Sequence, residues 1–227
     1  MADFQTIWAG ASAGGTGSSK DAPKGRRAAK SRKFYIVDTQ VRSRAAGLRL
    51  VNDDELFRDG VPILSPPDGR RGFRDYPVMP VFLANEKAGR IDRDFEIYSG
   101  YWLITDRMKS VLETVDPDAS EFLKCDTRLP DGAEGPRHWL CDVVRVLDAL
   151  DEEKSIIKID TSDMGRKIYN LFGPRSLIFN PDAVGQCRVF RMKYFEPVVI
   201  CDEELRRACK ENGITGIRFK DAVEGLI

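Results

Sequence analysis

His138, Cys141, Asp142, Asp148, Asp151, Glu152 and Glu153 fall within one stretch, GPRHWLCDVVRVLDALDEEKS (135–155), and His138 is the only histidine of the 227-residue chain. A thiol and an imidazole three positions apart are the pieces of a Cys–His nucleophile, and a run of carboxylates can hold a hard cation. Each chemistry needs more than its pieces. A catalytic thiolate needs a base oriented by a third group. A zinc site needs further nitrogen or sulfur ligands close by, and a calcium loop needs oxygen ligands at alternating positions, which DALDEEK lacks. Cys141 stands among Leu140, Val143 and Val144, a setting for a packed, inert thiol. The acidic residues gather where the apolar pattern stops, as the solvated end of an element does. The stretch is therefore expected to hold no catalytic, cofactor-binding or metal-ligating set.

The element that carries these residues decides which side chains meet. A helical stripe runs through Leu140, Val143, Val144, Leu147 and Leu150, with Asp142, Arg145 and Asp148 off it. The strand pattern places Trp139, Cys141, Val143, Leu147 and Ala149 on one side, where Arg145 interrupts it. The stripe points to a helix over 138–150, and the β-branched content pulls the other way. On a helix His138 and Cys141 approach each other; on a strand they face opposite sides.

Other segments read more plainly. KFYIVDTQV opens ordered structure, with a strand at Phe34 to Val37. Residues 58–91 hold five prolines and read as irregular surface with at most a short strand, such as Val78 to Leu83. Arg70, Arg71 and Arg74 make a basic spot there. Tyr101 to Ile104 reads as a buried strand, capped at Thr105 or Asp106 into a helix with Met108, Val111, Leu112 and Val115 on its apolar face, stopped at Pro117. Val198 to Cys201, with Asp202 as cap and Leu205, Ala208 and Cys209 as apolar face, repeats that pattern; Gly213 ends it and Ile214 to Phe219 returns as a strand. Laying Thr105 on Asp202 places Met108 on Leu205 and Phe122 on Phe219, which fits a repeated strand–helix–strand unit and fits coincidence equally. Ile156 to Ile159, Ile168 to Phe172, Leu177 to Phe179 and Cys187 to Met192 read as further strands. Helices and strands mix without regular alternation, so the expected fold is α+β, a mixed or antiparallel sheet with a few packed helices in a single compact domain over 34–227.

Bulk properties narrow the classes. Hydrophobic residues make up 42% of the chain and charged residues 32%, and no apolar run approaches a membrane span, so no membrane partner is expected. No apolar stretch follows a basic start, as a secretory signal requires. Five scattered cysteines (125, 141, 187, 201 and 209) form no C-x-x-C pair, which suits reduced thiols in the cytoplasm. The net charge of zero hides an asymmetry: residues 1–33 carry seven basic and two acidic groups, so the remainder is net acidic by five. These 33 residues, rich in Gly, Ala, Ser and Lys, read as a flexible basic arm. Its glycines lack the Lys-Ser or Lys-Thr that a phosphate loop places directly after its last glycine. Its basic cluster lacks the interleaved aromatics of many nucleic-acid binders, so nucleic acid is the weaker partner reading.

DFEIYSGYWLITDRMKSVLETVDPDASEF, WLCDVVRVLDALDEEKS and PVVICDEELRRACKENGITGIRF together resemble a family of immunity proteins of bacterial polymorphic toxin systems (immunity family eleven), once catalogued as a domain of unknown function. The resemblance runs with gaps from about Phe34 to Phe219. Its middle motif is seen here as Leu150-Asp151 and Ser155, and its closing turn as Gly213, Thr215 and Gly216. The resemblance implies a cytoplasmic protein that binds and neutralises a cognate toxin, in systems that include type VI secretion, and implies no catalysis and no cofactor. An acidic body would steer a basic toxin, which makes Asp148, Asp151, Glu152 and Glu153 candidate partner-binding residues, with solubility as their other reading. Two alternatives are a metal-dependent enzyme with a carboxylate site and a nucleic-acid-associated protein that uses the basic arm.

Overall fold

The computed structural model describes residues 32–40, 47–56, 71–85 and 93–223. The basic arm, with its Gly17–Lys20 segment, lies outside the described residues except for Arg32 and Lys33, as does most of the proline-rich stretch.

Two sheets form the body. The first contains β1 (Phe34–Thr39), β8 (Val146–Leu147), β11 (Val189–Met192), β12 (Phe195–Asp202) and β13 (Ile217–Asp221), in the order β13-β1-β12-β11-β8. The second contains β2 (Leu48–Leu50), β3 (Val81–Ala84), β4 (Phe95–Tyr98), β5 (Tyr101–Thr105), β6 (Ser120–Arg128) and β7 (His138–Val143), in the order β2-β3-β6-β7-β5-β4. Pairing is antiparallel except at β3–β6 and β8–β11. A separate hairpin joins β9 (Lys158–Thr161) and β10 (Lys167–Asn170). Among the described residues four helices complete the α+β fold: α1 (Asp53–Leu56), α2 (Asp106–Val115), α3 (Pro181–Val184) and α4 (Glu203–Glu211).

The central strands are apolar without alternation because both faces of each sheet are covered. In β1, Tyr35 and Val37 enter one core while Phe34 and Ile36 enter another. In β5, Trp102 and Ile104 join the first core and Tyr101 and Leu103 a third. That first core takes side chains from both sheets and closes over α2 and α4 through Met108, Val111, Leu112, Leu205 and Cys209. Both helices start as their sequences require. The Thr105 side chain accepts from the Met108 N–H, and Asp202 accepts from the Glu204 and Leu205 N–H groups.

Residues 138–150 are not a helix. They form β7, which lies between β5 and β6, followed by the two-residue β8. Cys141 and Val143 face the first core and Leu140 the third, so a strand buried on both sides presents an apolar run that also fits a helical stripe. The residue that misleads is Asp142, which reads as solvent-facing yet is fully buried. Val143, Val144 and Val146 favour the extended chain that the sheet requires. Three smaller differences concern ends. The strand sought at 78–83 is Val81–Ala84. Leu177 to Phe179 makes only an isolated bridge, Leu150 to Phe179, and Ile156 bridges Ser176 before β9 begins. Ile214 precedes β13.

Asp142 is buried because Arg191 and Arg71 meet it. Arg191, itself fully buried, places Nη2 2.9 Å from Asp142 Oδ1. Its other donors reach the carbonyls of Val143, Glu196 and Gly100 at 2.8, 2.6 and 3.2 Å. The other Asp142 oxygen accepts from the Gly72 N–H at 2.7 Å, and Arg71 closes the group from the surface side. Arg71 is therefore an internal partner and not part of a basic surface spot. Removing one member of a buried pair strands the other charge, at a cost of about 3–5 kcal/mol, whereas replacing both by apolar groups is often neutral. Asp142→Leu is expected to lower unfolding stability by that amount in urea titration, and adding Arg191→Met is expected to recover only part of it, because the Val143, Glu196 and Gly100 carbonyls then lose their donor.

Candidate interaction surface

The residues that first suggest chemistry are separated by the strand. His138 and Cys141 lie on opposite faces of β7. The His138 Nδ1 is 2.8 Å from the Pro136 carbonyl and 3.3 Å from Thr127 Oγ1, and burial lowers its pKa, so the ring is neutral at pH 7. Burial pushes the Cys141, Cys201, Cys125 and Cys209 thiols up, the last two to about 12, so none supplies a thiolate. Among the described residues no cluster of three or more His, Cys, Asp or Glu side chains is placed to hold a metal ion.

The acidic quartet lies after β8, beside the hairpin. Asp148 receives Lys193 Nζ at 3.3 Å and the Tyr194 hydroxyl at 3.0 Å. Glu152 receives Lys167 Nζ and the Tyr169 hydroxyl, both at 2.5 Å, and these bonds hold its carboxyl below the ordinary value. Asp151 pairs with Lys154 at 2.6 Å, which likewise lowers its pKa. Glu153 is exposed and makes no ion pair among the described residues. Three of the four charges are thus matched within the chain. Lys167 also sits over the Tyr194 ring, 4.0 Å from its centroid, and Tyr169 meets Tyr194 edge to face, so the acidic segment is tied to the hairpin base.

The hairpin itself is what sequence reading missed. Among the described residues nine large hydrophobic side chains are exposed; five of them, Ile156, Ile159, Met164, Ile168 and Phe172, fall on or beside this hairpin. Phe172 is 90% exposed and Met164 75%. Strand propensity placed strands at 156–159 and 168–172, where β9 and β10 lie, and said nothing of their exposure. The available signal was Met164, an apolar residue in the SDMG turn, which a hairpin gives to solvent. The sheet has two strands only, so β9 has an open outer edge among the described residues.

The two motifs of the resemblance prove to be turns with specific acceptors. The Asp151 N–H donates to the Ile178 carbonyl, the Ile178 N–H donates to Ser155 Oγ, and the Ser155 N–H returns to the Asp151 carbonyl. The Leu-Asp…Ser pattern therefore fastens the acidic loop to residues 176–179. In the closing motif the Thr215 N–H and Oγ1 both donate to Asp94, each at 2.8 Å. Gly216 has φ +85°, and a Cβ there would stand 2.3 Å from the Phe95 carbonyl oxygen. Asp94 also accepts from Thr105 Oγ1 at 2.8 Å and from Arg107 at 2.6 Å. Burial raises its pKa, and these bonds outweigh that and hold it at about 2.

The described residues thus present four buried thiols, a neutral buried histidine and an exposed apolar hairpin. The model of the Immunity protein family (Imm11) matches residues 33–224, and the chain belongs to that family. No curated protein matches it.

Because the Asp94 pKa is depressed in the folded state, its contribution to stability is complete above the ordinary carboxylate value of about 4. It is lost as pH falls towards 2. Asp94→Asn is expected to unfold at lower urea than the parent at pH 7, and the gap is expected to narrow steadily as pH falls from about 4 towards 2. Gly216→Ala is expected to lower the melting temperature by several degrees, since strain and clash add at one position.

Proposed function

We propose that this chain neutralises a cognate toxin by stoichiometric binding, and that the β9–β10 hairpin with its acidic border is the surface that meets it. The family supplies the toxin-neutralising role. The observation that carries the site is the exposure of large apolar side chains on and beside the two-stranded sheet: Ile168 on one face of the hairpin and Ile159 on the other, with Ile156, Met164 and Phe172 at its ends and turn. An exposed patch of this kind, rimmed by charges, is what a protein interface uses for its desolvated centre. Phe172 has the size and exposure of an anchor for a pocket on the toxin.

Asp148, Asp151, Glu152 and Glu153 form the rim of this surface. Their charges favour a basic contact face on the toxin, as in a nuclease, and Glu153 contributes most because it makes no ion pair among the described residues. The action is cytoplasmic, where thiols stay reduced; the five cysteines of this chain are free.

The test needs the cognate toxin, identified as a protein whose toxicity is relieved by co-expression of this chain. Phe172→Ser with Ile168→Ser is expected to weaken binding at least about 100-fold, mostly through faster dissociation, while the melting temperature stays within about 2 °C. Unchanged affinity would remove the hairpin from the interface. Glu153→Lys is expected to slow association several-fold at low salt and to leave dissociation unchanged.

A further inference from the structure

We infer that the fold is an internal duplication, and that β1 supplies to the second copy the strand that β7 supplies to the first. The first copy runs β4–β5–α2–β6 and the second β11–β12–α4–β13. In each, a hairpin is followed by a helix, and the third strand returns parallel to the second with one strand between them. That strand, β7 or β1, is antiparallel to both of its neighbours. The resulting orders are β4-β5-β7-β6 and β11-β12-β1-β13.

Similar orders arise independently, but an identical register is a stronger statement. Moving 97 positions along the chain takes Trp102 to Val199, Thr105 to Asp202 and Phe122 to Phe219. Trp102 and Phe122 both pair with Cys141; Val199 and Phe219 both pair with Val37. Thr105 pairs with His138, and Asp202 with Phe34. One shift serves both sides of the helix, so the two crossovers have the same length. One pair of loop bonds follows the same shift. The Val144 N–H reaches Ala119 and the Gln40 N–H reaches Gly216, acceptors again 97 positions apart; the Thr105 N–H reaches the Asp94 carbonyl and the Asp202 N–H that of Arg188, an offset of 94, because the second hairpin is three residues longer than the first.

The contacts between the copies are reciprocal. The turn after α4 sits on the start of β4, where Thr215 donates to Asp94 and Gly216 lies against the Phe95 carbonyl. The turn after α2 sits on the start of β11, where the Asp116 carboxylate accepts from the Arg188 and Val189 N–H groups at 2.7 and 3.1 Å. Likewise β1 lies beside β4, and β7 beside β11. Exchange of partners is the mark of a two-fold relation. The carboxylate has changed sides between the two latches, and the matched residues are mostly different, which is why sequence offers only a hint. The β9–β10 hairpin lies outside the two matched sets of strands and helix, so the proposed toxin surface is separate from the duplicated frame.

The test moves β1 to the place that β7 occupies in its own copy. In the rearranged chain residues 1–26 join residue 41, and residues 27–40 follow Ile227. Twelve residues then separate Ala222 from Phe34, as many as separate Cys125 from His138. The rearranged chain is expected to unfold in one cooperative transition, with amide exchange in residues 35–39 within about tenfold of that in the parent. In the parent itself, the β1 amides are expected to be as protected as those of β7. A rearranged chain that does not fold overturns the proposal. So does a parent in which β1 exchanges about 100-fold faster than β7, as an edge or a loosely docked segment would.

Discussion

A charge that cannot reach water organises this molecule. Asp142 lies near the end of β7, and Arg191 lies in β11 of the other sheet. Neither could be buried without the other, because ionised groups lose far more on leaving water than a generic contact returns. The guanidinium also donates to carbonyls from three separate segments, so its planar set of donors fixes β7, the β4–β5 turn and the start of β12 at once. Apolar packing around α2 and α4 supplies the bulk of the cohesion. The ion pair supplies alignment, since only one sliding position of the sheets satisfies every donor. The exposed hairpin grows from the segment between these two strands, so its base is held by the most constrained part of the fold.

Much of the architecture was legible from local chemistry. FYIV, YWLI and VVIC are continuous apolar runs, and each became a strand covered on both faces. Thr105 and Asp202 are short oxygen-bearing side chains directly before apolar stripes, and both cap helices. Residues 138–150 misled because a two-sided strand erases the alternation that identifies strands, and because Asp142 is neutralised by an arginine 49 positions away. No local pattern carries information about a partner that distant. Leu150-Asp151…Ser155 and Gly213-x-Thr215-Gly216 were visible as motifs, but their purpose was not. Each one closes a turn onto a segment remote in sequence: residues 176–179 for the first and Asp94 for the second.

The candidate surface was only half visible, for a related reason. Acidic side chains declare themselves in any sequence, whereas an exposed isoleucine looks like a buried one. The quartet at 148–153 drew notice as free charge, yet Lys154, Lys167 and Lys193 match three of its members. Exposed pairs of this type contribute little stability. Their effect here is to fix the orientation of Tyr169, Tyr194 and the hairpin above them. The apolar residues that the hairpin presents are the part composition could not assign, because burial is a property of topology.

The position of β1 also constrains how the protein is made. It is the first described strand to leave the ribosome, yet its neighbours β12 and β13 are the last. Its FYIV run must wait while nearly 190 further residues are added, roughly 10–40 s at ordinary elongation rates. During that time four large apolar side chains have no permanent place, and the sheet they will enter has not been synthesised. Protection by a partner that relieves toxicity must be in place before the poison acts, so the delay between translation and competence becomes a biological quantity. Here that delay is set by the distance along the messenger between one strand and its pair.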